Sequence, residues 1–487
     1  MSERTRMADI DAAWLHLEEP TNLMMITGLL WFETRVDLER LKATLQRRLV
    51  ARFPRFAQRV VMLGGAAYWE TDPALADPTH PGHAARLAEH FTELTLEAPG
   101  DRTALAARVS ALMSTPLPRE RALWHFHVLH GYAPDGAGGD GSAAGSALVV
   151  RLHHCIGDGV ALARVLLSLT EDAKGEARAL ADPTGGFTEA PAAEAPAATA
   201  PREEGGGLSG LLRAASAQLA EDPTRLWRGA ARGAQGVRAL GKLVGMRRDP
   251  RAGLKGPLGA QKRAAWSAPL PLAQLKALGR GAGCTVNDVL LAAVSGALRR
   301  YLEARGHPAE DVRALVPVNL RRLDRPLPRE LGNHFGLVFL QLPVGTLGTR
   351  ARLLELKRRM DALKRSPEAG VTFGLLQLLG KTPVRMLGTR ALVDFLGHKA
   401  SAVMTNVPGP REPVWLAGER LSGLMFWVPQ SGHLGLGVSI LSYAGSVTVG
   451  IASDAGLVPD PEALVEALDQ ELATLRAALD AAASVQG

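Results

Sequence analysis

At 487 residues the chain is longer than one hydrophobic core ordinarily fills, so it reads as more than one domain. Its hydrophobic content, 46%, is that of a folded globular protein and excludes a disordered or collagen-like one. Only two cysteines, Cys155 and Cys284, accompany a formal net charge of +7, which excludes a disulfide framework and fits a reducing, cytoplasmic setting.

The first residues, Met1 to Asp11, mix charges and carry no apolar core of a leader, so no signal peptide is expected. Leu38 to Arg52 has apolar residues at helical spacing, with Val36-Asp37 placed like a cap, and Thr103 to Met113 reads as a second helix. Leu123 to Leu129 and Ala147 to Leu152 read as strands joined by a Gly-, Asp- and Ser-rich loop, Ala133 to Ser146. Alternation puts His125 and His127 on one face of the first strand. No third ligand accompanies them, so solvated positions are expected and no metal site.

Residues 181–207 are mostly Ala, Pro, Gly, Glu and Thr, with Phe187 the only large apolar side chain. Such a stretch buries too little to offset its ordering entropy and reads as a linker. Leu208 to Arg248 follows with eight basic residues against two acids, a local +6, together with Leu, Val and Trp227. That composition fits a basic amphipathic helix on an anionic membrane or lipid-droplet surface, and equally a connecting helix packed on the protein. No recognised nucleic-acid module accompanies the charge, so nucleic acid is not an expected partner. The expected location is cytoplasmic, with a peripheral position on the inner membrane or on lipid inclusions left open.

These breaks divide the chain into 1–180, a connector 181–259, and 260–487. In the last part Leu272 to Gly279, Val286 to Ala304, Thr349 to Lys364 and Pro461 to Ala482 read as helices. Ala314 to Val318, Gly336 to Leu342 and Ala400 to Asn406 read as strands. Leu421 to Ser453 lacks any Lys, Arg, Asp or Glu and is long enough to span a bilayer. Its glycines and Pro429 break it, so it reads as a buried hairpin turning at Ala444-Gly445.

The most informative stretch is His153-His154-Cys155-Ile156-Gly157-Asp158-Gly159, between a strand and an apolar helix start. Imidazole is the side chain best suited to take a proton near neutral pH. If the strand runs through position 154, His154 shares a face with Leu148, Val150 and Leu152, which makes it the base of an apolar channel rather than His153. Asp158 also suits a plain helix N-cap, and Gly157 and Gly159 suit a tight turn. Cys155 reads as a small buried filler rather than a nucleophile. Further on, Thr285-Val286-Asn287-Asp288 opens a helix as a capping box with Thr285 and Asp288 as its partners. That leaves Asn287 in the first turn without a capping role.

The HHxxxDG loop resembles that of CoA-dependent acyltransferases, and the double histidine is similar to the bacterial wax ester synthase/diacylglycerol acyltransferase family. Pro118 to Trp124, Asn287-Asp288, Leu315 to Arg321, Gly332-Asn333, Asn406 to Pro410 and the opening Asp11 to Phe32 match further landmarks of that family. Ala122 departs from its usual Pro and Met25 from a frequent His. The resemblance implies an α/β architecture of two chloramphenicol-acetyltransferase-like domains, each a mixed sheet with flanking helices, with a substrate tunnel between them. It implies an acyl-CoA co-substrate, no bound cofactor, and a long-chain alcohol or a diacylglycerol as acceptor. His154 would be the base, with His153 supporting it or serving the fold, and Asp158 would hold the loop through an arginine. Gly159 completes the motif. Asn287 would steady an oxyanion, while Trp124, Asp288 and Asn406 would bind substrate or support the structure. A carrier-dependent condensation-type transferase and a silent lipid-binding protein of the same fold are the alternatives.

Overall fold

The computed structural model describes residues 3–134, 144–176, 245–250, 253–320, 328–366, 397–430 and 432–484, with single positions at 241, 372, 374 and 395. The expected linker 181–207, nearly all of the basic segment Leu208 to Arg248, and most of the loop after Ala133 lie outside them.

A six-stranded sheet carries the histidine loop. Its order is Trp415–Leu416, Glu419–Trp427, Met25–Phe32, Gly145–His153, Trp124–Tyr132 and Phe91–Thr95. Two of these strands come from the C-terminal half of the chain. Glu419–Trp427 pairs antiparallel with Met25–Phe32, from Leu421 opposite Phe32 to Trp427 opposite Thr27. Gly145–His153 sits in the middle and is buried along its whole length. A strand buried on both faces favours apolar residues on both, as at Ala147 to Val150, which is why alternation is weak there.

Helix Gly159–Ser168 is almost continuously apolar and buried from Ala161 to Ser168. Helix Arg102–Met113 buries Leu105, Val109 and Leu112, one stripe at helical spacing. Its hydroxyls join the two halves: Ser110 Oγ accepts from Ala264 N at 3.0 Å and Ser114 Oγ from Lys262 N at 2.8 Å.

The second large sheet runs Phe335–Leu342, Val312–Asn319, Ala402–Pro408, Leu436–Tyr443, Ser446–Asp454 and Lys262–Trp266, with Leu270–Pro271 also paired to Ser446–Asp454. Helices Val286–Ala304, Thr349–Lys364 and Pro461–Ser484 are packed together in the same half. The apolar residues of Val286–Ala304 share one core with Ala314, Ala402, Val438 and Leu468. Val312–Asn319 and Ala402–Pro408 run parallel but pair only at Ala314–Ala402 and Leu315–Val403. Beyond that point the strands part, and Val316 to Asn319 and Asn406 to Pro408 are half-buried. A small sheet of Arg4–Arg6, Ala66–Thr71 and Gln58–Leu63 completes the strands.

The expected helices and strands of the second half appear within a few residues of their readings. Leu38 to Arg52 divides into Leu38–Leu45 and a wider turn, Gln46–Val50. The charge-free stretch forms Leu436–Tyr443 and Ser446–Asp454, turning at Ala444-Gly445, and also supplies most of Glu419–Trp427. Among the described residues no single helix is long and apolar enough to cross a membrane.

Candidate active site

The strand ends at His153, one residue before His154. The alternation argument that gave His154 its face therefore does not apply, and tertiary contacts set its position instead. Its N–H donates to Met24 O at 2.7 Å, and its carbonyl accepts from Asn333 Nδ2 at 3.0 Å. The backbone is thus held from two directions. The ring stacks on Trp14, with centroids 4.2 Å apart and planes at 25°, and lies 5.9 Å from the Phe335 ring. Burial pushes its pKa down to about 4, against opposing help from Asp158. At neutral pH the imidazole is uncharged and available as a base.

His153 is also buried, and its environment is different. Nδ1 accepts the Cys155 N–H at 3.1 Å, so the ring proton sits on Nε2. Nε2 lies 2.8 Å from Glu18 Oε2, at ion-pair distance though off the ideal hydrogen-bond line. Glu18 in turn pairs with Arg119 Nη2 at 2.7 Å. Burial of Glu18 favours its neutral form, but His153 and Arg119 outweigh it and hold the carboxyl down at about 2. Cys155 is fully buried, and burial raises its thiol well above the usual range. A thiol in that state is a filler, not a nucleophile.

Asp158 caps helix Gly159–Ser168 through Oδ1, which accepts from Ala161 N at 2.8 Å. Its Oδ2 accepts from His334 N at 3.0 Å. The expected arginine partner is absent among the described residues; two backbone amides do the work. Neither Gly157 nor Gly159 has a positive φ. Nor is either closely approached: a Cβ at Gly157 would meet Leu331 at 3.6 Å and one at Gly159 would meet Val428 at 3.5 Å, both ordinary contacts.

The sequence reading assigned no role to Asp11, Trp14, Glu18 or Asn333. Asp11 Oδ1 accepts from Asn333 N at 3.1 Å and from Asn333 Nδ2 at 2.8 Å, with both residues buried. Asn333 therefore ties helix Asp9–Leu17 to the His154 carbonyl. The only sequence signal was that Asp11, Trp14, Glu18 and Asn333 fell inside the matched landmarks Asp11 to Phe32 and Gly332-Asn333.

Asn287 lies in the first turn of Val286–Ala304. Its Oδ1 accepts from Asn406 Nδ2 at 3.1 Å, which turns its own NH2 toward other partners. Neither residue has a bond to the histidine loop among the described residues. Asp288 does form the capping box with Thr285. Trp124 is a core residue: it is 1% exposed, its Nε1 donates to Phe56 O at 2.8 Å, and its ring stacks on His90 at 4.0 Å.

His125 and His127 are not solvated. Both are buried, their rings 4.4 Å apart, with His125 Nε2 2.8 Å from Thr92 Oγ1, and burial lowers both pKa values. Arg151 donates to His127 Nε2 at 3.1 Å and to the Leu112 and Thr115 carbonyls at the helix C-terminus. A helix C-terminus carries partial negative charge, which offsets a buried guanidinium without a carboxylate. Among the described residues no cluster suits a metal ion.

Two mixed sheets with flanking helices, and a buried imidazole where the halves meet, define a chloramphenicol-acetyltransferase-like acyltransferase architecture. Solved structures share that fold. A wax ester synthase/diacylglycerol acyltransferase from Marinobacter aquaeolei is similar at TM-score 0.67 and 22% identity, over 98% of this chain and all of that one. The first condensation domain of the calcium-dependent antibiotic synthetase matches at TM-score 0.59 and 16% identity, over 97% and 95%. In sequence, residues 7–290 match the wax ester synthase/diacylglycerol acyltransferase catalytic domain, and residues 331–476 match the WS/DGAT C-terminal domain. A Mycobacterium tuberculosis protein named as a probable diacylglycerol O-acyltransferase is 27% identical over 457 residues, covering 90% of this chain and 88% of its own. The chain belongs to the wax ester synthase/diacylglycerol acyltransferase family, and it is an acyltransferase.

Proposed function

We propose that the protein transfers a long-chain acyl group from acyl-CoA directly to the hydroxyl of a fatty alcohol or a diacylglycerol. The observation that carries this reading is His154: a neutral imidazole, held by its backbone on two sides, in an aromatic setting between Trp14 and Phe335. His154 takes the hydroxyl proton as the alcohol oxygen attacks the thioester carbon. The C–O bond forms, the C–S bond breaks, and the proton passes from His154 to the departing CoA sulfur. Asn287, oriented by Asn406, or nearby backbone N–H groups, would steady the tetrahedral oxyanion. His153, locked by Glu18 and the Cys155 N–H, is a structural neighbour that keeps the loop in register. The buried, protonated thiol of Cys155 gives no acyl-enzyme a foothold. The fold likeness to condensation domains keeps a carrier-bound donor as the second reading.

The test offers the purified protein a long-chain acyl-CoA or the matching acyl-carrier thioester, each with a fatty alcohol and with a diacylglycerol. Ester from acyl-CoA, nearly abolished in His154→Ala and less reduced in His153→Ala, is the expected outcome. Turnover only with the carrier thioester would favour the second reading, and full activity in His154→Ala would remove the base. Products of this kind are insoluble, and the +6 of Leu208 to Arg248 supports delivery at an anionic lipid surface. Binding to anionic vesicles should weaken as salt rises; salt-independent binding, or none, would refute that attachment.

A further inference from the structure

Asp11, Trp14 and Glu18 recur at i, i+3 and i+7, one stripe of helix Asp9–Leu17 and the residue after it. All three act on the histidine pair. Asp11 works through Asn333 on the His154 backbone, Glu18 pairs with His153, and Trp14 lies against the His154 ring itself. We propose that Trp14 is a positioning residue for His154, its indole face stabilising the imidazolium that forms when His154 takes a proton. The inference rests on His154 being the base.

Among the described residues no carboxylate hydrogen-bonds the imidazole, and the Asp158 carboxylate favours its protonated form only through space. Of the charged and titratable groups around it, Asp158 favours the imidazolium and His153 opposes it, both through space, and their hydrogen bonds go elsewhere. From helix Asp9–Leu17, Asp11 holds Asn333; beyond it, Glu18 is turned to His153 and Arg119. From the helix Gly159–Ser168, the cap Asp158 accepts two amides, one of them from His334. Phe335 approaches the imidazole tilted at 55°, whereas Trp14 is stacked at 25°. An indole face attracts a cation through its quadrupole, and most strongly where water is excluded. The buried Nε1 of Trp14 has no hydrogen-bond partner among the described residues, so packing alone seats the ring.

The depressed basicity of His154 makes such help useful. Burial keeps the ring neutral and ready but makes it a weak base; a stacked indole strengthens it without supplying a charge that would bind the ground state.

The test replaces Trp14 alone, by site-specific incorporation, with mono-, di- and trifluorotryptophan. These keep the shape of the ring and progressively weaken its electrostatic face. The expected result is a stepwise fall in kcat across the series, about 2- to 30-fold in total, with KM for acyl-CoA unchanged. The acid limb of the kcat/KM profile should move to lower pH at each step, because a less stabilised imidazolium means a lower pKa. Trp14→Leu should lie at or below the bottom of the series. Equal kcat and coincident acid limbs across the fluorinated set, with folding unchanged by circular dichroism, would overturn the proposal. His154→Ala is run alongside. Retained activity there removes the base reading itself, whereas a flat fluorinated series in an enzyme that needs His154 removes only the role of Trp14.

Discussion

Removing the Asp158 carboxylate separates two bonds that one side chain makes. The Oδ1 bond to Ala161 N caps a helix, and losing such a cap costs about 1 kcal/mol. The Oδ2 bond to His334 N spans the two halves of the chain; a hydrogen bond to a charged group contributes about 1.5–3 kcal/mol. Asp158→Ala should therefore lose about 2.5–4 kcal/mol. Asp158→Asn caps nearly as well, but its NH2 cannot accept from His334, so only the second loss of about 1.5–3 kcal/mol remains. Urea unfolding followed by tryptophan fluorescence measures both. Esterification rate should behave differently. It depends on the loop being tied across the halves, so both variants should lose it to a similar degree. An Asn variant with wild-type activity, or an Ala variant as stable as the parent, would refute this account of Asp158.

The remaining expectations follow from single contacts. Asn287→Ala should cost roughly 3–4 kcal/mol of barrier, seen in kcat more than in acyl-CoA binding, and Asn406→Ala should fall in the same direction by freeing the Asn287 amide to turn; an effect on binding alone would count against the oxyanion role. Cys155→Ala should keep substantial activity, and mass spectrometry after acyl-CoA alone should find no acylated protein; a stoichiometric adduct on Cys155 would overturn direct transfer. Activity should hold from neutral pH down to about 5 and fall only as His154 protonates near 4; an acid limb near 6.5 would mean that the ring is not buried as described. Stability should begin to fall earlier on acidification, from about pH 6.5 down to about 4. His90 and His154, lowered to about 4, and His125, to about 3, stay neutral in the fold, whereas the unfolded chain protonates its histidines near 6.5. The unfolded state binds more protons below that pH, so each of these groups removes up to about 1.4 kcal/mol per pH unit on acidification, read as a falling urea midpoint.

Much of the site was legible because its signals are local. The capping box at Thr285 and Asp288, the Asp158 cap and the helix at Gly159 depend on neighbours three or four residues away, and their geometry follows from spacing. The long helices and the late hairpin were legible for the same reason, through periodicity and turn chemistry. What surrounds His154 was not. Asp11 and Asn333 are 322 positions apart, and no periodicity links a helix near the start of the chain to a turn in its second half. The same limit hid Trp14 and Glu18, whose partners His154 and His153 lie far along the chain. It also produced the error at His125 and His127. Alternation establishes that two strand residues share a face, but only packing decides whether that face meets water or, as here, buried partners such as Thr92 and Arg151. The strand Glu419–Trp427 shows the limit most plainly: its composition marked it as buried, while its place beside Met25–Phe32 was decided by which sheet had an edge to fill. Sequence by itself determined the chemistry available, an imidazole, an acidic cap and an amide in a helix first turn. Tertiary structure alone decided which imidazole is stacked on an indole, and which is locked to a carboxylate, because burial and partners at long range set both.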